Sequence, residues 1–183
     1  MKKTLTVLLV LAIAMGAVFA DYTNKTLQLT TARPEKTYYG FASTALSATD
    51  TIAAYEADLV TIPGNAYTKK GVNLVSTEQS IGYVYGATNL KAGITLTLTS
   101  TQFANDDAGL TTHIGYSMNY GGAQPYTAGS ASPATVMSID GQVKGFRAAT
   151  AQELKVTLVS ADIDAAAVGN YTSTVTLTCT ANT

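Results

Sequence analysis

The side chains that could carry out chemistry are few in this chain. Its 183 residues include one histidine, His113, and one cysteine, Cys179. A serine–histidine–aspartate triad needs an imidazole held between a nucleophile and an acid, and a multi-histidine metal site needs more than one imidazole. His113 stands beside Thr111 and Thr112 at the start of a predicted strand, where a solvated histidine is the expected role. We therefore predict that the protein is not an enzyme and uses no cofactor.

The aspartates offer a second kind of chemistry, the binding of a cation. Calcium prefers several carboxylate and carbonyl oxygens, which could come from Asp106, Asp107, Asp162 and Asp164. Their spacing matches no known calcium loop, and aspartate is also common in turns because its side chain bonds to nearby backbone groups. We interpret these residues as turn-forming acids and predict no metal site.

The single cysteine has two interpretations. Exported proteins usually pair their cysteines, and one cysteine cannot close an intramolecular disulfide, so Cys179 could form an intermolecular disulfide or act as a reactive thiol. Alternatively, it is a small apolar side chain on a buried face with Val175 and Leu177, since free cysteine behaves as a small hydrophobe. We favour the apolar role.

The first twenty residues have the pattern of a secretory signal peptide. Lys2 and Lys3 form a short basic region, residues 5–19 are largely apolar, and Ala20 precedes a cleavage point before Asp21. The apolar run is too short for a confident membrane span. We predict cleavage after residue 20 and an exported protein of the bacterial periplasm, cell surface or exterior, with no transmembrane anchor in the mature chain.

Composition favours one domain without nucleic-acid chemistry. Residues 21–183 have the size of a typical domain and can bury a sizeable core. Charged residues make up 13% of the chain and the net charge is −1. A nucleic-acid partner is not expected, because no basic patch could neutralise phosphates.

Alternation of apolar and polar residues recurs at short intervals. Successive strand side chains point to opposite faces, so a period of two predicts a half-buried strand. In the clearest case, Ile94, Leu96 and Leu98 alternate with threonines. Shorter patterns predict strands at 26–30, 38–41, 72–75, 81–85, 114–120, 136–139, 142–146 and 154–158. Because turn residues separate them, they indicate an all-β fold, an antiparallel β-sandwich.

Some of these patterns specify more than a strand. The pair Asp140-Gly141 favours a two-residue hairpin turn between 136–139 and 142–146. The period also places side chains 81, 83 and 85 on one face, and side chains 114, 116, 118 and 120 on another. Tyr116 and Tyr120 are therefore a candidate binding surface for a sugar, although tyrosine is also common on β surfaces.

The segment 37–63 is ambiguous, and helices are scarce. Residues 57–62 could form a strand, whereas 49–57 could form a helical turn. After the signal peptide we expect no amphipathic helix of ten residues. Residues 161–168 come nearest, but so short a helix needs tertiary support.

The end of the chain has the longest alternating pattern. Threonines at 172, 174, 176 and 178 alternate with Tyr171, Val175, Leu177 and Cys179. This pattern predicts one half-buried strand over 171–179, entered through Gly169-Asn170.

This closing pattern resembles the last two strands of bacterial pilin-like domains. Those domains, which include spore coat U-type and chaperone–usher fimbrial subunits, often end in Ala-x-Gly-x-Tyr-x-x-x-Val/Leu-x-Val, and here Ala167, Gly169, Tyr171, Val175 and Leu177 occupy the corresponding positions. The resemblance covers about the last hundred residues. It implies an incomplete immunoglobulin-like fold whose open groove is filled by a periplasmic chaperone and then by the N-terminal extension of the next subunit.

The resemblance suggests which residues take part in assembly. Leu27 and Leu29 lie in one file of the mature N-terminus and would face the groove of another subunit, while Tyr171, Val175 and Leu177 belong to the assembly strands. The chain departs from the pattern because the donor file has only two strongly apolar residues and the usual cysteine pair is missing. Residues 21–31 are therefore either a donor strand or the first strand of a complete sandwich.

Three classes of function remain open. The first is a structural or assembly protein of the bacterial surface, fimbrial-subunit-like and connected with cell adhesion, which we favour. The second is a self-complete extracellular module that binds carbohydrate or protein. The third is an outer-membrane barrel, which would need longer lipid-facing strands and aromatic girdles.

Overall fold

The computed structural model describes residues 31, 33–48, 51–61, 71–107, 109–121, 125–141 and 145–183. The chain divides into two units at the Pro34–Glu35 bond, and the fold described below is that of Glu35–Thr183. The signal peptide and the strand predicted at 26–30, with Leu27 and Leu29, lie outside the described residues.

Antiparallel strands dominate the described part. They are β1 (Thr37–Ala42), β2 (Gln79–Thr88), β3 (Gly93–Ser100), β4 (Phe103–Asn105), β5 (His113–Ile114), β6 (Tyr116–Asn119), β7 (Tyr126–Thr127), β8 (Ala134–Asp140), β9 (Arg147–Ala148), β10 (Gln152–Leu158), β11 (Tyr171–Thr172) and β12 (Val175–Ala181). The helices are α1 (Ile52–Thr61) and α2 (Ser160–Ala165). The all-β prediction is confirmed at this level.

The strands form three sheets. The large sheet has the order β1–β2–β10–β6–β7, with β9 also paired to β2. The second sheet has the order β12–β3–β8, and the small sheet has the order β11–β4–β5. Each of these pairings is antiparallel.

The main core takes side chains from both larger sheets. Leu96 and Leu98 of β3 are fully buried, as are Val84 of β2 and Met118 of β6. Strict alternation along β3 sends its leucines into this core and its threonines to the other face. Burying a leucine or valine side chain contributes about 1.5–3 kcal/mol, so these residues hold the two sheets together.

The small sheet connects the two larger ones. The chain leaves β3 at Ser100 and enters β4 at Phe103, and it leaves β11 at Thr172 and enters β12 at Val175. Between β5 and β6 lies Gly115, whose backbone N–H donates to Asp162 Oδ2 at 2.8 Å. These connections place Tyr171 and Thr172 of β11 shortly before the final strand.

The predicted final strand is therefore two strands. Residues 171–172 pair with β4 and residues 175–181 pair with β3, so a single strand over 171–179 is wrong. Two hydrogen bonds to Thr101, a residue distant in sequence, hold the chain between the two strands: Ser173 Oγ donates to the carbonyl of Thr101 at 2.7 Å, and Thr174 N–H donates to Thr101 Oγ1 at 3.0 Å.

Helix α1 corrects two expectations. Residues 57–61 are helical rather than extended, and the helix has ten residues, although no amphipathic helix of that length was expected. Thr51 begins it by accepting from Ala54 N–H with its side chain and from Tyr55 N–H with its carbonyl. Tyr55 is fully buried and its ring lies 5.5 Å from that of Phe146, so tertiary packing stabilises a segment whose own pattern is weak.

Strand β2 also departs from its predicted pattern. Leu154 of β10 pairs with Gly82 but Lys155 pairs with Ser80, which leaves one extra residue in β2. Gly82 has a φ of 131°, and such a bulge turns the following side chains. Ile81 consequently packs against the main core, whereas Tyr85 lies in a second, smaller core that includes Tyr55 and Phe146. The side chains of residues 81, 83 and 85 therefore do not share one face.

Two further segments differ from the predicted strands. Residues 72–75 form a loop rather than a strand. Residues 142–144 lie outside the described part, so the hairpin over 136–146 stays a prediction, and Gly145 and Phe146 are outside any strand. The strands predicted at 38–41, 94–99 and 154–158 are confirmed.

Removing the hydroxyl group of Tyr55 is expected to leave stability unchanged or raise it. This hydroxyl is buried without a hydrogen-bond partner among the described residues, and a buried unsatisfied polar group costs about 1–3 kcal/mol. Tyr55→Phe should therefore raise the free energy of unfolding by up to about 1 kcal/mol in urea titrations.

Tyr126 provides the matched control. Its hydroxyl oxygen accepts from the backbone N–H of Ser100 at 3.2 Å, in a buried place. Tyr126→Phe should lower the free energy of unfolding by about 1–3 kcal/mol. Equal effects of the two substitutions would contradict the assignment.

Candidate assembly edge

The predicted site residues occupy different environments. Tyr171, Val175 and Leu177 are half-buried and pack against the main core, in β11 and β12. Tyr120 is also half-buried and packs against the core just after β6. Among these residues, Val175 and Leu177 share the edge strand of the second sheet.

Tyr116 is not part of a binding surface. Only 2% of it is exposed, and its ring centre lies 5.1 Å from that of Phe103. Its hydroxyl group hydrogen-bonds to Ser173 Oγ at 2.8 Å, and burial raises the pKa of Tyr116. Ile114, Tyr116 and Met118 all lie in the main core, as their alternation predicts. The proposed platform of Tyr116 and Tyr120 is therefore wrong for Tyr116. The single strand predicted over 114–120 is also wrong, because residue 114 belongs to β5 of the small sheet and residues 116–119 form β6 of the large sheet.

Strand β12 is an edge strand with its backbone partly unpaired. It pairs with β3 on one side, and no other strand of the described part pairs with it. Thr174 hydrogen-bonds to Thr101 and Asn182 to Gly93, at the two ends of β3, and the register between these points is unbroken. Because residues of an antiparallel strand alternate in the direction of their backbone groups, residues 175, 177, 179 and 181 present their N–H and C=O groups to the open side.

The side chains of β12 leave an apolar file incompletely covered. Val175, Leu177 and Cys179 are half-buried, whereas Leu98 and Leu96, their neighbours on β3, are fully buried. Thr176, Thr178 and Thr180 are exposed on the other face. The strand has seven residues without a charge, a proline or a glycine. Such an edge is a template for pairing with another strand.

The other edges of the described sheets are less open. Strand β8 has a register irregularity opposite Leu96 and Thr97 and ends in Asp140. Strands β5, β7 and β11 have two residues each. Irregularities, charges and short strands are common ways to protect an edge. The remaining long edge is β1, which has six residues with Gly40 in its middle.

Charged side chains also mark the beginning of β1. Lys36 Nζ lies 2.5 Å from Glu56 Oε1, and Tyr38 donates its hydroxyl to the same carboxylate. Hydrogen bonds from Lys36 and Tyr38 lower the pKa of Glu56. This cluster fixes α1 on β1 and places charges beside that edge. Strand β12 is therefore the less charged of the two edges, and it is also one residue longer.

The thiol and the histidine show no activation. Cys179 is a free cysteine in the half-buried file of β12, and burial raises the pKa of its thiol, which disfavours the reactive thiolate. His113 is exposed at the start of β5. It lines a hollow of about 610 Å³ together with hydroxyl-bearing residues such as Thr172 and Thr174, and no described carboxylate lines that hollow.

Two of the four candidate aspartates make structural contacts with their side chains. Asp106 Oδ1 accepts from Thr172 Oγ1 at 2.7 Å, and Asp162 Oδ2 accepts from Gly115 N–H. The described residues contain no group of three or more histidine, cysteine, aspartate or glutamate side chains that could hold a metal ion. Neither described helix is long and apolar enough to span a bilayer.

Sequence reasoning missed a cavity beside the small sheet. It has a volume of about 780 Å³ and is lined by Val72, Leu74, Phe103, Asp106, Leu158, Asn170 and Tyr171, among others. These residues come from four separated segments, so no local spacing reveals the cavity. The only local indication is the placement of Asp106 and Asn170 beside strand ends.

Comparison with protein-family models, with curated proteins and with solved structures gives no match to this chain.

Proposed function

We propose that the protein is an exported structural or assembly subunit of the bacterial surface that acts through β-strand contacts. The observation that carries this proposal is the open edge of β12, with its outward backbone groups and its half-buried apolar file. The proposal includes a cleaved signal peptide over residues 1–20 and an immunoglobulin-like sandwich made from the two larger sheets.

The proposed occupant of the edge is residues 21–31 of a second copy. Backbone hydrogen bonds would give this pairing its affinity, and alternate side chains would give its specificity. Leu27 and Leu29 share one file of that segment, and the file of Val175, Leu177 and Cys179 offers them an apolar surface. A chaperone that adds a strand at the same edge would protect it before assembly.

A lysine on the outer face of β12 is expected to weaken assembly. Thr178 is exposed, so Thr178→Lys leaves the core intact. A charged lysine on an edge strand disfavours the pairing of another strand with that edge. The concentration needed for self-association of the full chain, measured by sedimentation velocity, should rise by about tenfold or more.

The matched control is Ser138→Lys, on the exposed face of β8 at the other edge of the same sheet. It should assemble like the unmodified chain, and deletion of residues 21–31 should abolish assembly. Self-association that survives both Thr178→Lys and the deletion would refute the proposal, as would an unmodified chain that stays monomeric at every concentration.

A further inference from the structure

The cavity beside the small sheet has the size and the floor of a small-molecule site. Its volume of about 780 Å³ falls within the roughly 300–1,000 Å³ usual for such sites. Leu158 is 3% exposed, and Phe103 and Tyr171 are half-buried, so the floor is apolar and includes two aromatic residues. Such a surface suits the C–H groups of a ligand.

The outer wall is a tethered loop. Asn73 N–H donates to Gln79 Oε1 at 2.8 Å, and Gln79 Nε2 donates back to the Asn73 carbonyl at 2.9 Å. The loop contributes Val72 and Leu74 to the lining, and Leu74 is 56% exposed. Both hydrogen bonds are made by the side chain of Gln79, the first residue of β2, so the large sheet fixes the position of this wall.

Four residues with polar side chains line the cavity beside this apolar surface: Asp106, Asn170, Thr172 and Ser173. Asp106 and Asn170 both line the cavity, and the Asp106 backbone N–H donates to the Asn170 carbonyl at 2.8 Å. Thr172 Oγ1 donates to Asp106 Oδ1, which orients the carboxylate. The other carboxylate oxygen and the Asn170 amide make no hydrogen bond within the described residues. The backbone hydrogen bond places residues 106 and 170 side by side, so a strong acceptor and an amide that can donate and accept line the same part of the cavity.

The chemistry of this lining selects a class of ligand. Asp106 is the one charged residue of the described lining, so a phosphate or carboxylate ligand is disfavoured. Asp106 and Asn170 are exposed to solvent, so a purely apolar ligand would displace water from the carboxylate and the amide without replacing its hydrogen bonds. A polyhydroxyl ring uses both parts of the cavity, because its hydroxyl groups bond to the polar pair while its C–H face covers the apolar floor.

We propose that this cavity binds a neutral saccharide, with Asp106 and Asn170 holding adjacent hydroxyl groups of a pyranose ring and the apolar floor covering its C–H face. The site is separate from the open edge of β12. A single subunit would therefore combine assembly with glycan recognition.

Heteronuclear NMR on the full chain tests the proposal with the methyl pyranosides of glucose, galactose, mannose and N-acetylglucosamine. At least one should shift the backbone amides of 71–74, 103–107 and 169–173 in a saturable way. Asp106→Asn keeps the shape but removes the charged acceptor, so affinity should fall about tenfold. The neighbouring Asp107→Asn lies outside the cavity lining and should bind as the unmodified chain does.

Several outcomes would overturn the proposal. These are the absence of saturable shifts with all four pyranosides, equal binding by Asp106→Asn, and shifts produced only by lysine methyl ester, which would indicate a cation site. If Asp106→Asn loses its folded spectrum, Leu74→Ala decides, and unchanged saccharide affinity in that variant would refute the site. Thr178→Lys should bind the saccharide normally, so a failure of assembly and a failure of this site are distinguishable.

Discussion

Replacing Gly93 with alanine is expected to destabilise the fold by about 3–5 kcal/mol, because positive φ and a backbone clash add together. Gly93 begins β3 with a φ of 81°, in the left-handed region that suits glycine. A Cβ atom here would lie 2.5 Å from the backbone nitrogen of Gly141 and closer still to the carbonyl oxygen of Ile139. Neither group belongs to a flexible side chain, so β8 would have to move.

The same glycine also joins β3 to β12. Its carbonyl accepts from Asn182 N–H at 3.1 Å, and it pairs with Asp140 of β8. Displacement at this point therefore disturbs all three strands of the second sheet. The free energy of unfolding, obtained from guanidinium titration with fluorescence or circular dichroism, measures the loss.

Gly109 separates the two causes. It has a φ of 95°, but a Cβ atom there would have nothing within 4 Å. Gly109→Ala should lower the free energy of unfolding only by the strain of the left-handed conformation, about 1–2 kcal/mol. If Gly93→Ala and Gly109→Ala destabilise equally, the clash with β8 contributes nothing and the close approach of the strands is wrong.

Truncating Leu98 should lower the free energy of unfolding by about 2–5 kcal/mol. Leu98 is fully buried in the central strand of the second sheet and belongs to the core shared with the large sheet. Leu98→Ala removes apolar contacts and leaves a cavity that surrounding strands fill only partly. Thermal and urea unfolding of the variant measure the effect.

Leu177 provides an unusually close comparison. It lies directly opposite Leu98 in the register of β12 and β3, but it is only half-buried. Leu177→Ala should therefore cost about half as much in the monomer, since the transfer free energy scales with buried area. In the assembled state its cost should rise. A loss in the monomer equal to that of Leu98→Ala would mean that the file of β12 is already covered.

Local pattern was sufficient for the strands whose two faces differ sharply. In β3, apolar residues alternate with threonines without interruption, and the predicted side-chain directions are confirmed. The same holds for Ile114 and Met118, which both lie in the core. In such sequences the alternation of apolar and polar residues itself specifies which face is buried and which is exposed, so the period of two is enough to predict the strand.

The missed features depend on contacts between distant residues. Helix α1 is stabilised by packing of Tyr55 against Phe146, and nothing within residues 52–61 reveals that partner. Likewise, the division of the final strand follows from hydrogen bonds to Thr101, about seventy residues earlier in the chain. The exposure predicted for Tyr116 is wrong for a related reason, because alternation that involves tyrosines indicates that two faces differ but not which of them lies in the core.

The candidate site was predictable in part. The residues of the final strand, Val175 and Leu177, were identified from their pattern and their resemblance to pilin-like domains. The sequence pattern could not predict that one edge of this strand is unpaired, because that depends on which strands lie beside it in the sheet. Assignment of residues 21–31 as its partner remains a prediction.

The pairing of β12 with β3 has a consequence for the order in which the molecule forms. Residues 175–181 meet residues 94–100 across most of the second half of the chain, and contacts between such distant segments form slowly. During synthesis β3 can pair with β8, but it lacks the second of its two neighbours until residues 175–181 have emerged. A polypeptide in that condition is loosely organised and vulnerable to mispairing, so a helper that shields β3 would raise the yield of correctly folded molecules.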